Sequence, residues 1–146
     1  MSTHNIHIVC GPTAGGKSAK ALEMAAGLDG VVINCDSMQI YDDLPILTAQ
    51  PSEEDKAQAP HLLYGVLHPN EISSAGNLNE MVRPIIEEVL AEGRTPIICG
   101  GTGLYIKALM EGLSPIPDIP QEVRDRVVAH YEELGAEGFY AELEAR

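Results

Sequence analysis

The octapeptide at residues 11–18, Gly-Pro-Thr-Ala-Gly-Gly-Lys-Ser, constrains the fold of this chain more than any other feature. It matches the pattern G-x-x-x-x-G-K-[ST], in which glycines let successive backbone N–H groups turn towards phosphate oxygens. An apolar run at 6–10 precedes the octapeptide, and an alanine-rich stretch follows it. Strand, loop and helix thus occur in the order that a phosphate-binding loop needs, and a glycine turn without a ligand is the alternative.

Every residue of this loop is a predicted ligand contact. The Lys17 ammonium adds a positive charge at the phosphates, and the Ser18 hydroxyl is a candidate ligand of Mg²⁺. Backbone N–H groups supply the other contacts, and the positive end of the following helix favours an anion. The predicted diphosphate-binding residues are Gly11, Pro12, Thr13, Ala14, Gly15, Gly16, Lys17 and Ser18.

Mg²⁺ is the cofactor that the sequence predicts. Cys10, Cys35 and Cys99 lack C-x-x-C spacing and each ends an apolar run, so we expect small buried thiols rather than zinc ligands. The five histidines show neither H-x-x-x-H nor H-E-x-x-H spacing. Any metal ion is therefore expected to arrive with the phosphates.

The length and the net charge of the chain limit the classes of protein to which it can belong. With 146 residues, 45% of them hydrophobic, the chain is expected to form one core. Its net charge of −13 argues against a nonspecific nucleic-acid binder, because Lys and Arg supply most of such affinity. The acidic excess is strong in 118–146, so a polyanion is expected to approach the N-terminal core. The polar N-terminus and the shortness of the apolar runs predict a cytoplasmic protein without a membrane span.

The hydrophobic pattern predicts an α/β core at 1–113, a proline-rich linker at 114–120 and a helical segment at 121–146. Pro84 lacks a backbone N–H, so we expect the helix around it to kink or to start near Arg83. The predicted elements are strand 6–10, helix 17–28, strand 31–35, helix 52–60, strand 62–67, helix 77–91, strand 95–99, helix 104–110, helix 121–134 and, after Gly135, a short acidic helix to 146.

Further candidate residues follow two other predicted strands. Asp36 stands directly after the second strand, and Gly100, Gly101 and Thr102 follow strand 95–99. The carboxyl ends of parallel strands meet at one edge of a sheet, where ligands bind. No predicted strand ends in the paired acids of a hydrolytic ATPase. The phosphate loop alone leaves kinases, ATPases and group transferases open, and these strand ends discriminate between them.

Six blocks, in the same order, resemble those of the tRNA dimethylallyltransferase family, the isopentenyl transferases that modify an adenosine beside the anticodon. The blocks are 11–18, Asp-Ser-Met-Gln-Ile-Tyr at 36–41, Thr-Ala-Gln-Pro at 48–51, Pro-His-Leu-Leu at 60–63, Gly-Gly-Thr-Gly-Leu-Tyr at 100–105 and Leu-Met-Glu-Gly-Leu-Ser at 109–114. The match covers nearly the whole chain but about the first half of a typical member. It implies a P-loop NTPase-like α/β fold, a parallel sheet flanked by helices, with 121–146 beginning a helical tRNA-binding insert.

The resemblance implies that the exocyclic N6 amine of a tRNA adenosine attacks the first carbon of dimethylallyl diphosphate and expels diphosphate. Asp36 resembles the family's general base, while Lys17 and Mg²⁺ stabilise the leaving group. The implied partners are dimethylallyl diphosphate and the anticodon loop of tRNA, with no membrane and with a monomer at full length. The implied tRNA-binding residues are Asp36, Ser37, Met38, Gln39, Thr102 and Arg124.

Several plainer interpretations stay open. Asp36 is alternatively a residue that orders the second magnesium shell or caps a turn, Thr102 a helix N-cap and Arg124 a solvated charge on a helix. Gly15 stands where the family usually has serine, and Gln50 where it commonly has lysine. For the whole chain, the alternatives are a small-molecule kinase of the shikimate or gluconate type and a diphosphate-binding fragment without chemistry.

Overall fold

A computed structural model of the chain describes residues 5–114, 117 and 119–146. The chain separates into two compact units, Met1–Leu113 and Ser114–Arg146. The first unit alternates strands and helices, and the second consists of one broken helix. The elements are β1 His7–Cys10, α1 Lys17–Leu28, β2 Gly30–Asn34, α2 Glu53–Gln58, β3 His61–Leu62, α3 Ala75–Ala91, β4 Thr95–Gly100, α4 Gly103–Glu111 and α5 Gln121–Glu144.

Four strands form one parallel sheet in the order β1-β4-β2-β3. β4 lies between its two neighbours, and Ile98 stands opposite Ile8 on one side and Ile33 on the other. The apolar runs of β2 and β4 are buried, as strands covered by helices on both faces require. The predicted α/β class with a flanked parallel sheet is therefore confirmed, and the carboxyl ends of β1, β4 and β2 lie side by side.

Each face of the sheet carries its own hydrophobic core. On one face, the small side chains of Ala21 and Ala25 in α1 pack against Val32 and Ile97. On the other face, α3 and α4 cover the sheet, with Leu78 fully buried in that second cluster. Alanines at four-residue spacing let α1 approach the sheet closely, so the phosphate loop that precedes α1 is held against it.

Two predicted elements differ from the structure. The strand or extended segment predicted at 62–67 is found only at its two ends. Leu62 pairs with Ile33 and Leu67 forms an isolated parallel bridge with Tyr41, whereas Leu63 interrupts the segment with a left-handed φ of 62°. The helix start near Arg83 is wrong, since α3 begins at Ala75 and continues through Pro84. Pro84 is exposed, so water can bond the helix carbonyl that its missing N–H leaves unpaired.

The cysteines divide into two classes. Cys35 and Cys99 are buried, as predicted. The expectation that Cys10 is buried is wrong: Cys10 is exposed, because it ends β1, the outermost strand of the sheet.

The second unit is a helix that doubles back on itself. α5 breaks at Gly135, whose φ of 68° and ψ of 176° are not helical, at the position where the sequence predicts an interruption. Beyond the break the chain returns, so that His130 Nε2 lies 2.9 Å from Glu142 Oε2 and the Phe139 ring meets Tyr131 edge-on. The predicted linker at 114–120 includes 115, 116 and 118, which lie outside the described residues. Within the described part of the chain, no helix has the length and apolar character needed to cross a membrane.

Candidate active site

The candidate site is a cavity of about 520 Å³ at the carboxyl edge of the sheet. Its walls come from the loop after β1, the turn after β2 and the turn after β4, because these three strands are neighbours. A fourth segment, between β2 and α2, adds part of the rim. The cavity is lined by residues 13–19, 36–39, 47–49 and 99–102.

The phosphate loop closes on itself through its own backbone. The Gly15 N–H donates to the Pro12 carbonyl at 3.1 Å, and the Lys17 Nζ donates to the same oxygen at 2.8 Å. Ala14 and Gly16 have φ values of 59° and 76°, so the chain turns through left-handed conformations immediately before α1. Left-handed residues that alternate with residues of other conformation orient neighbouring N–H groups to one side, which is how such loops bind anions.

Asp36 lies across the cavity from this loop. Its Oδ1 accepts a hydrogen bond from the Met38 N–H at 2.9 Å, which fixes one carboxylate oxygen. Its Oδ2 lies 3.4 Å from the point where a Cβ on Gly101 would stand, and Lys17 Nζ lies 3.5 Å from that same point. The second oxygen of Asp36 and the ammonium of Lys17 therefore both lie beside Gly101.

Gly100 makes this arrangement possible. A Cβ at Gly100 would overlap the backbone carbonyl of Cys35, and the Cys35 N–H donates to the Cys99 carbonyl at 2.8 Å. Because no side chain separates the two backbones, the end of β2 approaches the end of β4 closely. The residue after Cys35 is Asp36, which is thereby brought to Gly101.

The remaining predicted tRNA contacts of the first unit occupy different environments. Thr102 is the N-cap residue of α4 but makes no side-chain capping bond; its hydroxyl accepts from the Ser37 N–H and donates to Ser37 Oγ, both at 3.3 Å. Gln39 donates to the carbonyls of Thr48 and Ala49, each at 2.8 Å, and so holds the rim segment. Met38 is 52% exposed and lines the cavity.

Arg124 is not part of this cavity. It lies on α5 in the second unit, where it is exposed. The structure therefore brings together Asp36, Ser37, Met38, Gln39 and Thr102 with the phosphate loop, and leaves the role of Arg124 as a prediction from resemblance.

Two buried thiols, those of Cys35 and Cys99, lie next to Asp36 and Gly100 in the sequence and stay neutral at physiological pH. Burial, reinforced by the negative charge of Asp36, raises the pKa of Cys35 to about 12. Burial also raises the pKa of Cys99, although the positive charge of Lys17 opposes this effect. Neutral buried thiols are neither nucleophiles nor metal ligands, so the charged groups of the site are those of Lys17 and Asp36.

Sequence reasoning missed two residues of this region. Asn34 is completely buried at the end of β2 and bonds the backbone of Asp36; an amide inside the apolar run Val-Val-Ile-Asn-Cys was the available signal. Leu47 lines the cavity although it is 80% exposed, and the proline-flanked loop around it gives no signal.

Gln50, at the position where lysine is common, donates to the Tyr41 carbonyl at 2.6 Å and so has a structural partner.

Comparison with known proteins decides the family. A protein-family model described as IPP transferase matches residues 39–146. This chain belongs to the IPP transferase family. The tRNA dimethylallyltransferase of Oleidesulfovibrio alaskensis is 48% identical over 143 residues, which are 97% of this chain and 47% of the relative. That of Rhodospirillum rubrum is 49% identical over 136 residues, 93% of this chain and 42% of the relative.

Solved structures of IPP transferases agree with this fold. The full-length tRNA isopentenylpyrophosphate transferase of Bacillus halodurans matches with a TM-score of 0.74 and 30% identity, covering 98% of this chain and 48% of that one. A eukaryotic dimethylallyltransferase acting on tRNA matches with a TM-score of 0.71 and 28% identity over 80% of this chain and 28% of its own. The chain thus spans about half the length of the curated relatives it matches. Membership of this family favours a transferase over the small-molecule kinase.

Proposed function

We propose that this chain binds dimethylallyl diphosphate and transfers its dimethylallyl group to the N6 amine of the adenosine 3′-adjacent to the anticodon of tRNA, releasing diphosphate. The observation that carries the proposal is the placement of Asp36 Oδ2 and Lys17 Nζ about the same point beside Gly101. A base and a diphosphate-binding cation thereby line one cavity, so the amine and the diphosphate can be bound side by side for the transfer.

The chemistry divides between the two sides of the cavity. On one side, the N–H groups of residues 13–18 and the Lys17 ammonium bind the diphosphate and stabilise the charge that it gains as the carbon–oxygen bond breaks. On the other side, the Asp36 carboxylate accepts a proton from the amine as the new nitrogen–carbon bond forms. The electron pair of the broken bond leaves with diphosphate, so the balance needs no further reactant.

The donor atoms at the site suit Mg²⁺ that arrives with the diphosphate. Among the described residues, no group of three or more His, Cys, Asp or Glu side chains could hold a metal ion. The cavity lining includes the hard oxygen donors of Ser18 and Asp36, and Mg²⁺ is commonly held by one or two protein oxygens plus phosphates and water. When bound, the ion adds positive charge at the leaving group, and Ser18 is the residue proposed to hold it.

The tRNA side of the cavity is proposed to receive a base that has left the stack of the anticodon loop. Ser37 and Thr102 present hydroxyl groups there, and Met38 presents an exposed apolar side chain, which suits a flipped base. Arg124 on α5 is proposed as a further tRNA contact through its charge.

The test is mass analysis of tRNA nucleosides after incubation of the chain with Mg²⁺, dimethylallyl diphosphate and unmodified tRNA. We expect N6-dimethylallyladenosine beside the anticodon. Calorimetric titration separates the alternatives: dimethylallyl diphosphate should bind, whereas tight ATP binding without a response to the prenyl diphosphate would support the kinase. Donor binding without any modified nucleoside would support the diphosphate-binding fragment.

Asp36→Asn tests the base directly, because the amide keeps the shape of the carboxylate. We expect the transfer rate to fall by about 10²-fold or more while the affinity for dimethylallyl diphosphate stays nearly unchanged. Asp43→Asn removes a matched exposed carboxylate outside the cavity lining and should leave both values as they are. Transfer at the unmodified rate in Asp36→Asn would remove Asp36 as the base.

A further inference from the structure

Asn34 has an unusual position for a polar side chain. It ends β2, a strand of otherwise apolar residues, and none of its surface is exposed. A buried amide is costly unless its donors and acceptor are bonded, so such residues normally have a specific partner. In this chain the partners of Asn34 are backbone groups of Asp36 and Leu63, which lie outside its own strand.

Asn34 binds Asp36 through both of the backbone polar groups of that residue. Its Oδ1 accepts from the Asp36 N–H at 2.9 Å, and its Nδ2 donates to the Asp36 carbonyl at 3.3 Å. The same Nδ2 donates to the Leu63 carbonyl at 2.9 Å. One amide therefore bonds the turn after β2 on one side and the segment after β3 on the other.

The Leu63 contact gives this side chain a rigid second anchor. Leu63 has a φ of 62°, a conformation that is unfavourable for a leucine and is kept only where the surroundings fix it. The segment is also tied to the β2 turn by the Gly65 N–H, which donates to the Gln39 carbonyl at 3.0 Å. The Asn34 amide thus bonds two segments that are also bonded to each other, so it has little freedom to rotate.

We infer that Asn34 is a positioning residue that orients the Asp36 carboxylate. Asn34 holds both backbone polar groups of Asp36, and the Met38 N–H holds the Oδ1 atom of its side chain. The other carboxylate oxygen, Oδ2, is therefore the one directed to Gly101 and Lys17. The catalytic consequence of this inference rests on the prenyl transfer proposed above. A misplacement of about 1 Å at such a group is expected to cost about 100-fold in rate.

The chain offers a matched control for general loss of a buried amide. Asn79 is also a buried asparagine, but it lies on α3, away from the cavity lining, and its Oδ1 lacks a hydrogen-bond partner among the described atoms. Asn34→Ala and Asn79→Ala each remove one buried amide. Only the first is expected to affect Asp36.

Two measurements test the inference, one of them independent of activity. Amide hydrogen exchange by NMR should show the Asp36 N–H exchanging at least about tenfold faster in Asn34→Ala than in the unmodified protein or Asn79→Ala. In transfer assays Asn34→Ala should lower kcat about 10- to 100-fold while the KM for dimethylallyl diphosphate stays within about twofold. Asn34→Ser keeps an uncharged oxygen that can accept from the Asp36 N–H two residues later, so it should keep slow exchange at Asp36 and restore part of kcat.

The outcomes separate this inference from the proposed function. If Asn34→Ala matches Asn79→Ala in both exchange and kcat, the inference is overturned. If Asn34→Ala does not fold, Asn34→Ser decides. Slow exchange at Asp36 with a kcat between one tenth and one half of the unmodified value supports the inference, and faster exchange at Asp36 or an unchanged kcat overturns it. If the unmodified chain transfers no prenyl group, the proposed function fails for this chain, while Asp36 exchange still decides whether Asn34 holds Asp36.

Discussion

Two glycine-rich turns meet at the carboxyl edge of the sheet, and they use glycine for different physical reasons. In the loop at 11–18, Gly16 has a φ of 76° and no atom within 4 Å of where its Cβ would stand, so glycine is needed there for conformation. In the turn after β4, a Cβ on Gly100 would overlap the Cys35 carbonyl, so glycine is needed there for space.

This difference explains why the role of the first turn is easier to predict from the sequence than the role of the second. The loop at 11–18 follows a pattern fixed by phosphate chemistry, and each of its positions has an expected role. Gly100 instead serves a contact with a distant part of the chain, which no local pattern reports. Yet this contact is what brings Asp36 to Lys17, so the site depends on both turns.

Gly100→Ala is the strongest test of the second turn. The added methyl group would meet backbone atoms of Cys35, which cannot move without disturbing the pairing of β2 with β4. We expect the free energy of unfolding to fall by about 3 kcal/mol or more. Urea denaturation followed by circular dichroism gives the value. A loss below about 0.5 kcal/mol would show that the two strand ends are not held together.

High pH provides a second test of the same contact, through Cys35. Its pKa is about 12 in the folded protein and near 9 when exposed, because burial disfavours the thiolate. Stability from the neutral thiol is therefore complete below pH 9 and is lost as the pH rises towards 12. Urea denaturation at successive pH values should show this loss, and Cys35→Ala should reduce it. Cys99 and Tyr64, whose pKa values burial also raises, should account for the remainder. An identical pH dependence in Cys35→Ala would contradict the argument.

Much of the fold follows from local sequence. The apolar runs and the glycine loop predict the positions of β1, α1, β2 and β4, because buried parallel strands need continuous apolar residues. The start of α2 also follows from the sequence, since the helix predicted from Ser52 begins at Glu53 with Ser52 as its N-cap. The exposure of Cys10 could not be predicted in this way, because it depends on β1 being an edge strand, which is a property of the strand order.

The sequence predicts the site residues whose type is fixed by the chemistry of the site. It does not predict the residues whose role is fixed by tertiary contacts. Lys17 and Asp36 follow strands whose carboxyl ends must share an edge, so their meeting could be predicted. The hydroxyl of Thr102 could have capped α4, but it bonds Ser37 instead, and only the packing of the two turns decides this. Asn34 was missed because a single amide in an apolar strand does not reveal which backbone groups it bonds.

Gly16→Ala tests the first turn and is expected to have a smaller effect than Gly100→Ala. The space around Gly16 is open, so the cost is that of a left-handed conformation for alanine, about 1–2 kcal/mol in the free energy of unfolding. Relaxation of that strain would turn N–H groups of the loop, so we also expect weaker binding of dimethylallyl diphosphate by calorimetry. Unchanged stability together with unchanged binding would mean that the loop does not need this conformation.

Gly103→Ala should have the smallest effect of the series and completes the comparison. Gly103 begins α4 only three residues after Gly100, yet a Cβ there would meet no atom within 4 Å and its φ is not left-handed. Neither the conformation of residue 103 nor the space around it therefore requires glycine. Alanine also has fewer conformations than glycine in the unfolded chain, so the free energy of unfolding should be unchanged or rise by up to about 1 kcal/mol. Thermal unfolding measures the difference. A loss of more than about 1 kcal/mol would show that the whole turn, and not Gly100 alone, requires glycine.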